Sequence, residues 1–306
     1  MVIGYDGSDD ADGAIRVAAR LLPAAEAVIV HVHDATIALE QSTLARIALP
    51  DSVIVASLHE YERAATEAAA AIAERGGTVA AEAGLEASTL VQVAPSAWRG
   101  ICTAAAEQSA GVVVCGSRGL SGLSRAYLGS TSSSLLHHSP APLLVVPPQE
   151  RDLAGPIVIG YDASDGARAA VRAAAQLFPG RAAVVVHVWA SPVKRSLAGA
   201  ALLAAPLEEI SEIAGDLDEM FAGEARDVAD EGAALANEQR LDAKALAVES
   251  ASDGWRGLAA AATSEQAAVL VVGCRGRGAL ASTVLGSVSF GVVHNAEQPV
   301  LVHRGP

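Results

Sequence analysis

A glycine-rich pattern with the chemistry of a phosphate site occurs twice in this sequence. In the first copy Gly116-Ser117-Arg118-Gly119 ends an apolar run, and after nine residues comes Gly129-Ser130-Thr131-Ser132. The second copy keeps the same spacing with Gly273-Cys274-Arg275-Gly276 and Gly286-Ser287-Val288-Ser289. Glycine lets a backbone approach a ligand closely, and the start of a helix offers N–H donors to an anion. Two copies at identical spacing favour phosphate binding over ordinary turn chemistry, which is the alternative for any single glycine.

Each copy also has an aspartate at the end of its first apolar run, Asp6 in one and Asp162 in the other. An aspartate in this place can cap the helix that follows. Ser8 and Ser164 are better placed for that role, because each stands directly before a helical pattern. Both aspartates are therefore available to contact a ligand.

Arginine and histidine side chains are the remaining candidates for chemistry. Arg118 and Arg275 would make charge-assisted hydrogen bonds to phosphate, or else are solvated loop cations. His31 and His187 lie inside apolar strands and are predicted to be structural. The sequence has no Gly-x-x-x-x-Gly-Lys-Ser/Thr motif, no supported Ser-His-Asp set and no spacing typical of a metal site. No catalytic or metal-ligating residue is predicted.

These groups belong to an internal repeat that spans the chain. The matching stretches are Val2-Ile3-Gly4-Tyr5-Asp6 with Val158-Ile159-Gly160-Tyr161-Asp162, 156 positions apart, and Trp98-Arg99-Gly100 with Trp255-Arg256-Gly257, 157 positions apart. One net insertion between the copies explains both offsets. A Pro-rich polar stretch separates the copies and predicts two domains, residues 1–148 and 155–306.

Strands and helices alternate within each copy. The predicted strands of the first copy are Val2–Tyr5, Ala27–Val32, Thr78–Leu85, Gly111–Cys115 and Pro142–Val146. Its predicted helices are Ala11–Leu22, Leu58–Arg75 (ended by Gly76-Gly77), Ala97–Gln108 and Gly129–His138. The stretches Asp34–Ser57 and Ala190–Glu209 have no assigned structure. Such alternation predicts parallel strands with the ligand beyond their carboxyl ends, where the strand order reverses, so that Asp6 and Gly116 share one crevice.

The composition excludes several classes of protein. The 306 residues are 51% hydrophobic but only 3% aromatic, which is typical of Ala-rich helices packed on Val-rich strands. A net charge of -14 argues against nucleic-acid binding, which needs clustered Lys and Arg. No apolar run suits a membrane span and no signal-like segment begins the sequence, so a cytoplasmic protein without a membrane partner is predicted. Cys102, Cys115 and Cys274 are predicted to be buried thiols.

The Gly-x-x-Gly, nine-residue, Gly-Ser pattern, with an aspartate ending strand one and a Val-His-Val second strand, resembles the universal stress proteins of the ATP-binding type. The resemblance covers Val2–Val146 and Ile157–His303, so the chain is similar to a tandem pair of such domains. It implies α/β folds, two open five-stranded parallel sheets of order 3-2-1-4-5 with helices on both faces, related by pseudo-twofold symmetry. It also implies an adenine nucleotide as ligand, usually ATP with Mg²⁺, and stress-linked regulation without fast catalysis.

Residue by residue, the resemblance implies one nucleotide site in each copy. In the first copy the implied binding residues are Asp6, Val32, Gly116, Arg118, Gly119, Gly129, Ser130, Thr131 and Ser132. In the second copy they are Asp162, Val188, Gly273, Arg275, Gly276, Gly286, Ser287, Val288 and Ser289.

Two other functions stay open on the sequence alone. One is a slow ATP-hydrolysing or nucleotidyl-transferring enzyme, because the fold by itself does not decide activity. The other is an interaction scaffold with empty sites. A regulatory role also implies a protein partner. The last strands, Pro142–Val146 and Pro299–His303, would be sheet edges that need covering, which predicts that the two domains pair through them, and a homodimer of the whole chain is plausible.

Overall fold

The computed structural model describes residues 1–23, 25–34, 51–119, 128–149, 151–191, 207–251, 253–274 and 285–304. The chain divides into two compact units, Met1–Glu150 and Arg151–Pro306. Both units are built from the predicted alternation of strands and helices. In the described part of the chain, no helix is long and apolar enough to cross a membrane.

Unit 1 is an open parallel sheet with helices on both faces. Its strands are β1 (Val2–Gly4), β2 (Ala27–Asp34), β3 (Ala87–Ala94), β4 (Val113–Gly116) and β5 (Leu143–Val146), and its helices are α1 (Asp9–Leu21), α2 (Asp51–Glu82), α3 (Ala97–Glu107) and α4 (Ser130–His138). The strand order is β3-β2-β1-β4-β5. Helices α1 and α2 contact each other, as do α3 and α4, which gives each face of the sheet one pair. The predicted fold class and strand order are confirmed.

Unit 2 repeats this arrangement. Its strands are β6 (Ile157–Gly160), β7 (Ala182–Trp189), β8 (Asp242–Glu249), β9 (Val269–Gly273) and β10 (Val300–His303), and its helices are α5 (Asp165–Leu177), α6 (Leu207–Glu238), α7 (Gly254–Ser264) and α8 (Ser287–Asn295). The order is β8-β7-β6-β9-β10, all parallel. The first strand of each unit lies between the second and the fourth, so the strand order reverses there.

The core of each unit consists of short apolar strands buried on both faces, as expected of a parallel sheet covered by helices. Strands β4 and β5 are buried along their whole length. The first helices present mainly alanines to the sheet, and Ala14 and Ala170 are fully buried. Such small side chains let a helix lie close to the Val-rich strands.

The prediction for the third strand of unit 1 was wrong. Helix α2 continues through Gly76 and Gly77 to Glu82, and the strand is Ala87–Ala94 instead of Thr78–Leu85. A Cβ atom on Gly76 would lie 2.7 Å from Ile29 and 2.8 Å from Tyr5, so this glycine allows the helix to pack closely on β1 and β2. The glycines therefore do not end the helix: they serve its packing, which outweighs their low helix propensity.

In each unit a buried tyrosine and an ion pair join the first helix to the long second helix, but acid and base stand on opposite helices in the two units. In unit 1 the Tyr5 hydroxyl donates to Asp12 Oδ1 at 2.6 Å, and Arg75 donates to Asp12 Oδ2 at 3.1 Å. In unit 2 the Tyr161 hydroxyl donates to Glu231 at 2.8 Å. Burial, then the bond to Glu231, raises the pKa of Tyr161 to about 12.

The ion partner of Glu231 is Arg168. Position 168 matches position 12 and position 231 matches position 75, both at the offset of 156, so acid and base have changed places between the first helix and the long helix. In each unit the tyrosine hydroxyl donates to the acidic member of the pair, whichever helix carries it.

The start of unit 2 is fastened to its own sheet. Leu153 is buried, and the Arg181 guanidinium donates to the carbonyl oxygens of Leu153 and Gly155. Burial lowers the pKa of Arg181. A Cβ atom on Gly155 would lie 1.9 Å from the carbonyl oxygen of Gln266, so only glycine fits there.

Candidate functional site

A cavity of about 230 Å³ lies in unit 1 at the carboxyl ends of the strands. It is placed where the strand order reverses, between β1 and its neighbours β2 and β4, which is where open parallel sheets bind ligands. All nine residues that the sequence implies for this copy line the cavity: Asp6, Val32, Gly116, Arg118, Gly119, Gly129, Ser130, Thr131 and Ser132. The fold thus brings together groups that are up to 126 positions apart in the chain (132 − 6).

Other lining residues were not predicted from the sequence: Gly4, Tyr5, Ala11, Val30, His31, Ala97, Ile101 and Cys115. Most come from the same strand ends, and a full list of strand-end residues would have included them. Ala97 and Ile101 are different, because they stand one helical turn apart in α3, and only the packing of that helix shows which of its faces meets the cavity.

The carboxylate of Asp6 is held in a fixed orientation. Its Oδ1 accepts hydrogen bonds from the backbone N–H of Ser8 at 3.0 Å and from the Ser8 hydroxyl at 2.5 Å. Ser8 itself caps α1 through Ala11 N–H at 3.3 Å, as predicted. The other oxygen of Asp6 lies beside Gly119, where an added Cβ atom would stand 2.3 Å from it. Asp6 is therefore clamped against the glycine loop and is not a helix cap.

The glycine loop and the start of α4 are tied together. Ser132 is 3% exposed, and its hydroxyl donates to the carbonyl oxygen of Gly116 at 2.7 Å. The backbone N–H of Gly129 donates to the carbonyl oxygen of Ser117 at 2.8 Å. The Ser132 hydroxyl thus closes the loop, which leaves backbone N–H groups and the Ser130 and Thr131 side chains as the donors that this helix start can offer to a ligand.

At Gly129 the conformation of the backbone distinguishes a glycine needed for ligand binding from one needed for a turn. Its φ of -62° is open to any residue, and an added Cβ atom would make only ordinary contacts of 3.4 Å with Ser117 and Arg118. The described neighbours therefore do not require glycine here. Having no side chain, Gly129 makes no side-chain cap, whereas α1 is capped by Ser8. A helix start of this kind on a cavity is suited to an anion.

The side of the cavity toward β2 and α3 is apolar. Val32 of β2 and Ala97 and Ile101 of α3 form this side of the cavity. Gly100 makes the approach feasible, since a Cβ atom there would lie 2.7 Å from both methyl groups of Val32. Gly257 has the same relation to Val188 in unit 2. The recurring Trp-Arg-Gly sequence is thus explained by helix packing at its glycine.

Two side chains in the cavity wall, His31 and Cys115, carry titratable groups. His31 Nδ1 is 2.9 Å from the carbonyl oxygen of Tyr5, so this nitrogen carries a proton and donates it, as predicted for a structural histidine. Burial raises the pKa of Cys115 to about 12. Within the described residues, no group of three or more His, Cys, Asp or Glu side chains is arranged to hold a metal ion.

Arg118 already has an acidic partner. Its Nε donates to Asp10 Oδ2 at 3.1 Å, and the two side chains are 22% and 20% exposed. The sequence did not predict this pair, because 108 positions separate its members and no local pattern connects them.

Unit 2 repeats the ties of the glycine loop. The Ser289 hydroxyl donates to the carbonyl oxygen of Gly273 at 2.6 Å, and Gly286 N–H donates to that of Cys274 at 2.8 Å. Asp162 Oδ1 accepts Ser164 N–H at 3.0 Å, as Asp6 does in unit 1. Helix α8 begins at Ser287, and Val288 is 39% exposed. Arg275 and Gly276 lie outside the described residues.

A cavity in unit 2 differs from that of unit 1. It measures about 460 Å³ and is lined by Val188, Trp189, Ala190, Ser250, Ala251, Asp253, Gly254 and Arg256. Of the residues implied for the second copy, Val188 alone is among those described as lining it. Gly273 is also under tighter constraint than Gly116, because an added Cβ atom would lie 2.6 Å from the backbone of Gly166.

Known proteins resemble this chain in sequence and in fold. A family model described as the universal stress protein family matches residues 1–147 and again residues 154–304. A universal stress protein of Mycolicibacterium smegmatis is 31% identical, over 99% of this chain and 96% of its own length. One from Mycobacterium tuberculosis is 30% identical, over 63% and 61%. A solved universal stress protein from Archaeoglobus fulgidus has a TM-score of 0.62 at 18% identity, over 99% of this chain and 97% of its own, which shows a shared fold.

Proposed function

Since the chain belongs to the universal stress protein family, we propose that it is a cytoplasmic regulatory protein that binds an adenine nucleotide and has no fast catalysis. The observation that carries the proposal is the unit 1 cavity, which is lined by all nine residues implied for that copy. Unit 2, with the same loop ties, is proposed to hold a second nucleotide.

The lining residues divide into three parts that suit the three parts of a nucleotide. The apolar side at Val32, Ala97 and Ile101 suits a base, because it offers aliphatic contact to a flat ring. Asp6 is placed to accept hydrogen bonds from ribose hydroxyls. The start of α4 at Gly129 suits the phosphates, since backbone N–H groups and the positive end of the helix both favour an anion.

ATP is the nucleotide proposed, and Mg²⁺ would accompany it. Mg²⁺ is commonly held by substrate phosphates with one or two carboxylates. The described residues offer no larger acidic cluster for it, so the phosphates would be its main ligands.

The test is to denature the purified full chain and count the nucleotide released per chain. The free chain is then tested by thermal shift with added Mg-ATP, where ligand at about 100 times its dissociation constant adds roughly 2.7 kcal/mol of stability. Near two adenine nucleotides per chain, with three phosphates each, would support a binding regulator. Recovery of ADP as the main nucleotide would favour a slow hydrolase. The proposal would be refuted if no nucleotide is released and Mg-ATP causes no thermal shift.

A matched pair of variants links any binding to the unit 1 cavity. Gly119→Ala would force the clamped Asp6 carboxylate to move, because the new Cβ atom stands 2.3 Å from it. We expect affinity at unit 1 to fall about tenfold or more, the effect of losing one hydrogen bond to a charged group. Gly111→Ala is the control, since no atom of the described residues lies within 4 Å of its added Cβ atom. Equal affinities for both variants would show that the nucleotide binds elsewhere.

The pairing of the two domains through their last strands and assembly into a homodimer stay predictions from the sequence. So does a protein partner that responds to nucleotide occupancy. Cross-linking of the purified chain, and affinity capture with and without nucleotide, would test them.

A further inference from the structure

The unit 1 cavity has a basic side chain whose charge is already matched. Among the described residues that line it, Arg118 is the one lysine or arginine. Its guanidinium is bound to Asp10 at 3.1 Å, while Asp6 adds a second carboxylate. The formal charges of these three side chains therefore sum to -1. A site that relied on this arginine to attract polyphosphates would not be built in this way.

Asp10 is held firmly in its place behind the glycine loop. It lies in the first turn of α1, where the positive end of the helix stabilises a carboxylate. Its backbone carbonyl oxygen lies close to Gly116, since an added Cβ atom there would be 3.1 Å from it. With the side chains of Asp10 and Arg118 both about one-fifth exposed, solvent screens the pair only in part.

The electrostatic consequence depends on the number of charges on the ligand. A cation and an anion 3.1 Å apart act on a nearby phosphate as a dipole, whose field falls off faster than that of a single charge. Each further phosphate group then gains little from Arg118. The start of α4 therefore remains the main source of favourable interaction with the phosphates.

Unit 2 lacks this acid. The position that matches Asp10 at the offset of 156 is Gly166, which has no side chain. The same glycine is in close contact with Gly273, where an added Cβ atom would lie 2.6 Å from its backbone. An acid at this position is therefore particular to unit 1.

We propose that Asp10 is a specificity-determining residue of the unit 1 site: by neutralising Arg118, it removes the preference for nucleotides with more phosphate groups. In the absence of divalent cations, AMP, ADP and ATP then bind unit 1 with similar affinity. The inference rests on the proposed function, because it concerns the ligand of that same site. Unit 1 would then select its ligand by the nucleoside moiety more than by the number of phosphate groups.

The experiment uses the full chain, with EDTA and constant ionic strength, and titrates AMP, ADP and ATP separately. Binding is followed by hydrogen exchange in peptides that cover Gly129–His138, which reports unit 1 alone. Asp10→Asn keeps the shape of the side chain and removes its charge. Asp9→Asn is the matched control, because Asp9 is exposed on the same helical turn and its substitution changes the net charge by the same amount.

We expect the wild-type chain and Asp9→Asn to show little change in affinity from AMP to ATP. Asp10→Asn should bind ATP about tenfold more tightly than the wild type, and AMP only about threefold, because each added phosphate charge now meets an unmatched cation. The double variant Asp10→Asn with Arg118→Gln should return to the nearly flat wild-type series, since it removes both charges.

Three results would overturn the proposal. If Asp10→Asn leaves the AMP-to-ATP series unchanged, Asp10 does not control phosphate selectivity, although nucleotide binding stands. If Asp9→Asn changes the series equally, the effect is one of overall charge. If no nucleotide protects the unit 1 peptides in any variant or with Mg²⁺, the proposed function fails, and this inference with it.

Discussion

Removing the Asp12 carboxylate should destabilise unit 1 by an amount that depends on Tyr5. Asp12 is 8% exposed, Tyr5 is 3% exposed, and the Tyr5 hydroxyl donates to Asp12 at 2.6 Å. Asp12→Ala leaves this buried hydroxyl without its acceptor. A buried donor without a partner costs about 1–3 kcal/mol, so we expect the free energy of unfolding of unit 1 to fall by about 2 kcal/mol. Loss of the ion pair with Arg75 adds little, because the Arg75 side chain is 54% exposed and is solvated by water instead.

The double variant isolates the hydrogen bond. Tyr5→Phe removes the donor, so Asp12→Ala made in that background leaves no buried hydroxyl without a partner, and its cost should shrink to well under half. The assay is hydrogen exchange at increasing urea concentration in peptides of β1 and α1, which gives the stability of unit 1 within the full chain. If Asp12→Ala costs the same in the wild-type chain and in the Tyr5→Phe background, the two side chains are not coupled and the reasoning is wrong.

Unit 2 supplies a second check on the same contacts. Exchanging Asp12→Arg and Arg75→Glu together would install the polarity of Arg168 and Glu231 in unit 1. Each single exchange places two like charges together and should destabilise the unit. The double exchange should recover most of that loss, because the Tyr5 hydroxyl can then donate to the new glutamate as Tyr161 donates to Glu231. A double variant no more stable than the singles would contradict this.

Two further predictions concern the glycines of helices and the buried thiol. Gly76→Ala should lower the stability of unit 1 by about 1–3 kcal/mol through overpacking against Ile29. Gly13→Ala should raise it by about 0.5–1 kcal/mol, because no described atom lies within 4 Å of the added Cβ atom. Urea unfolding of both variants tests this contrast. Because burial raises the pKa of Cys115 to about 12, its thiolate is scarce at pH 8, and iodoacetamide should label the half-buried Cys102 first in the native chain. Mass spectrometry of the labelled peptides measures this order, and equal labelling rates would contradict the burial of Cys115.

Much of the site was predictable because it lies on a repeated local pattern. Apolar runs that end in glycine or aspartate mark strand ends, and the carboxyl ends of parallel strands lie at one edge of the sheet. The positions of Asp6, Gly116 and Gly129 followed from that rule and from the resemblance. The third strand of unit 1 was misplaced because glycines were read as the end of a helix, although Gly76 serves contact with Tyr5 and Ile29. Propensity is a local property, and packing overrides it.

The sequence by itself determined the tandem repeat and the α/β class, because these depend on periodicity, on strand ends and on a spacing that occurs twice. Together with the family resemblance it indicated nine of the residues that line the unit 1 cavity. Only the tertiary structure decided what those residues do there. It showed that the Ser132 hydroxyl ties the glycine loop instead of facing outward, and that Arg118 is matched by Asp10. It also showed that acid and base have changed places between Asp12 and Arg168. Contacts between residues far apart in the chain have no period and no fixed spacing, so they exist only once the chain has folded.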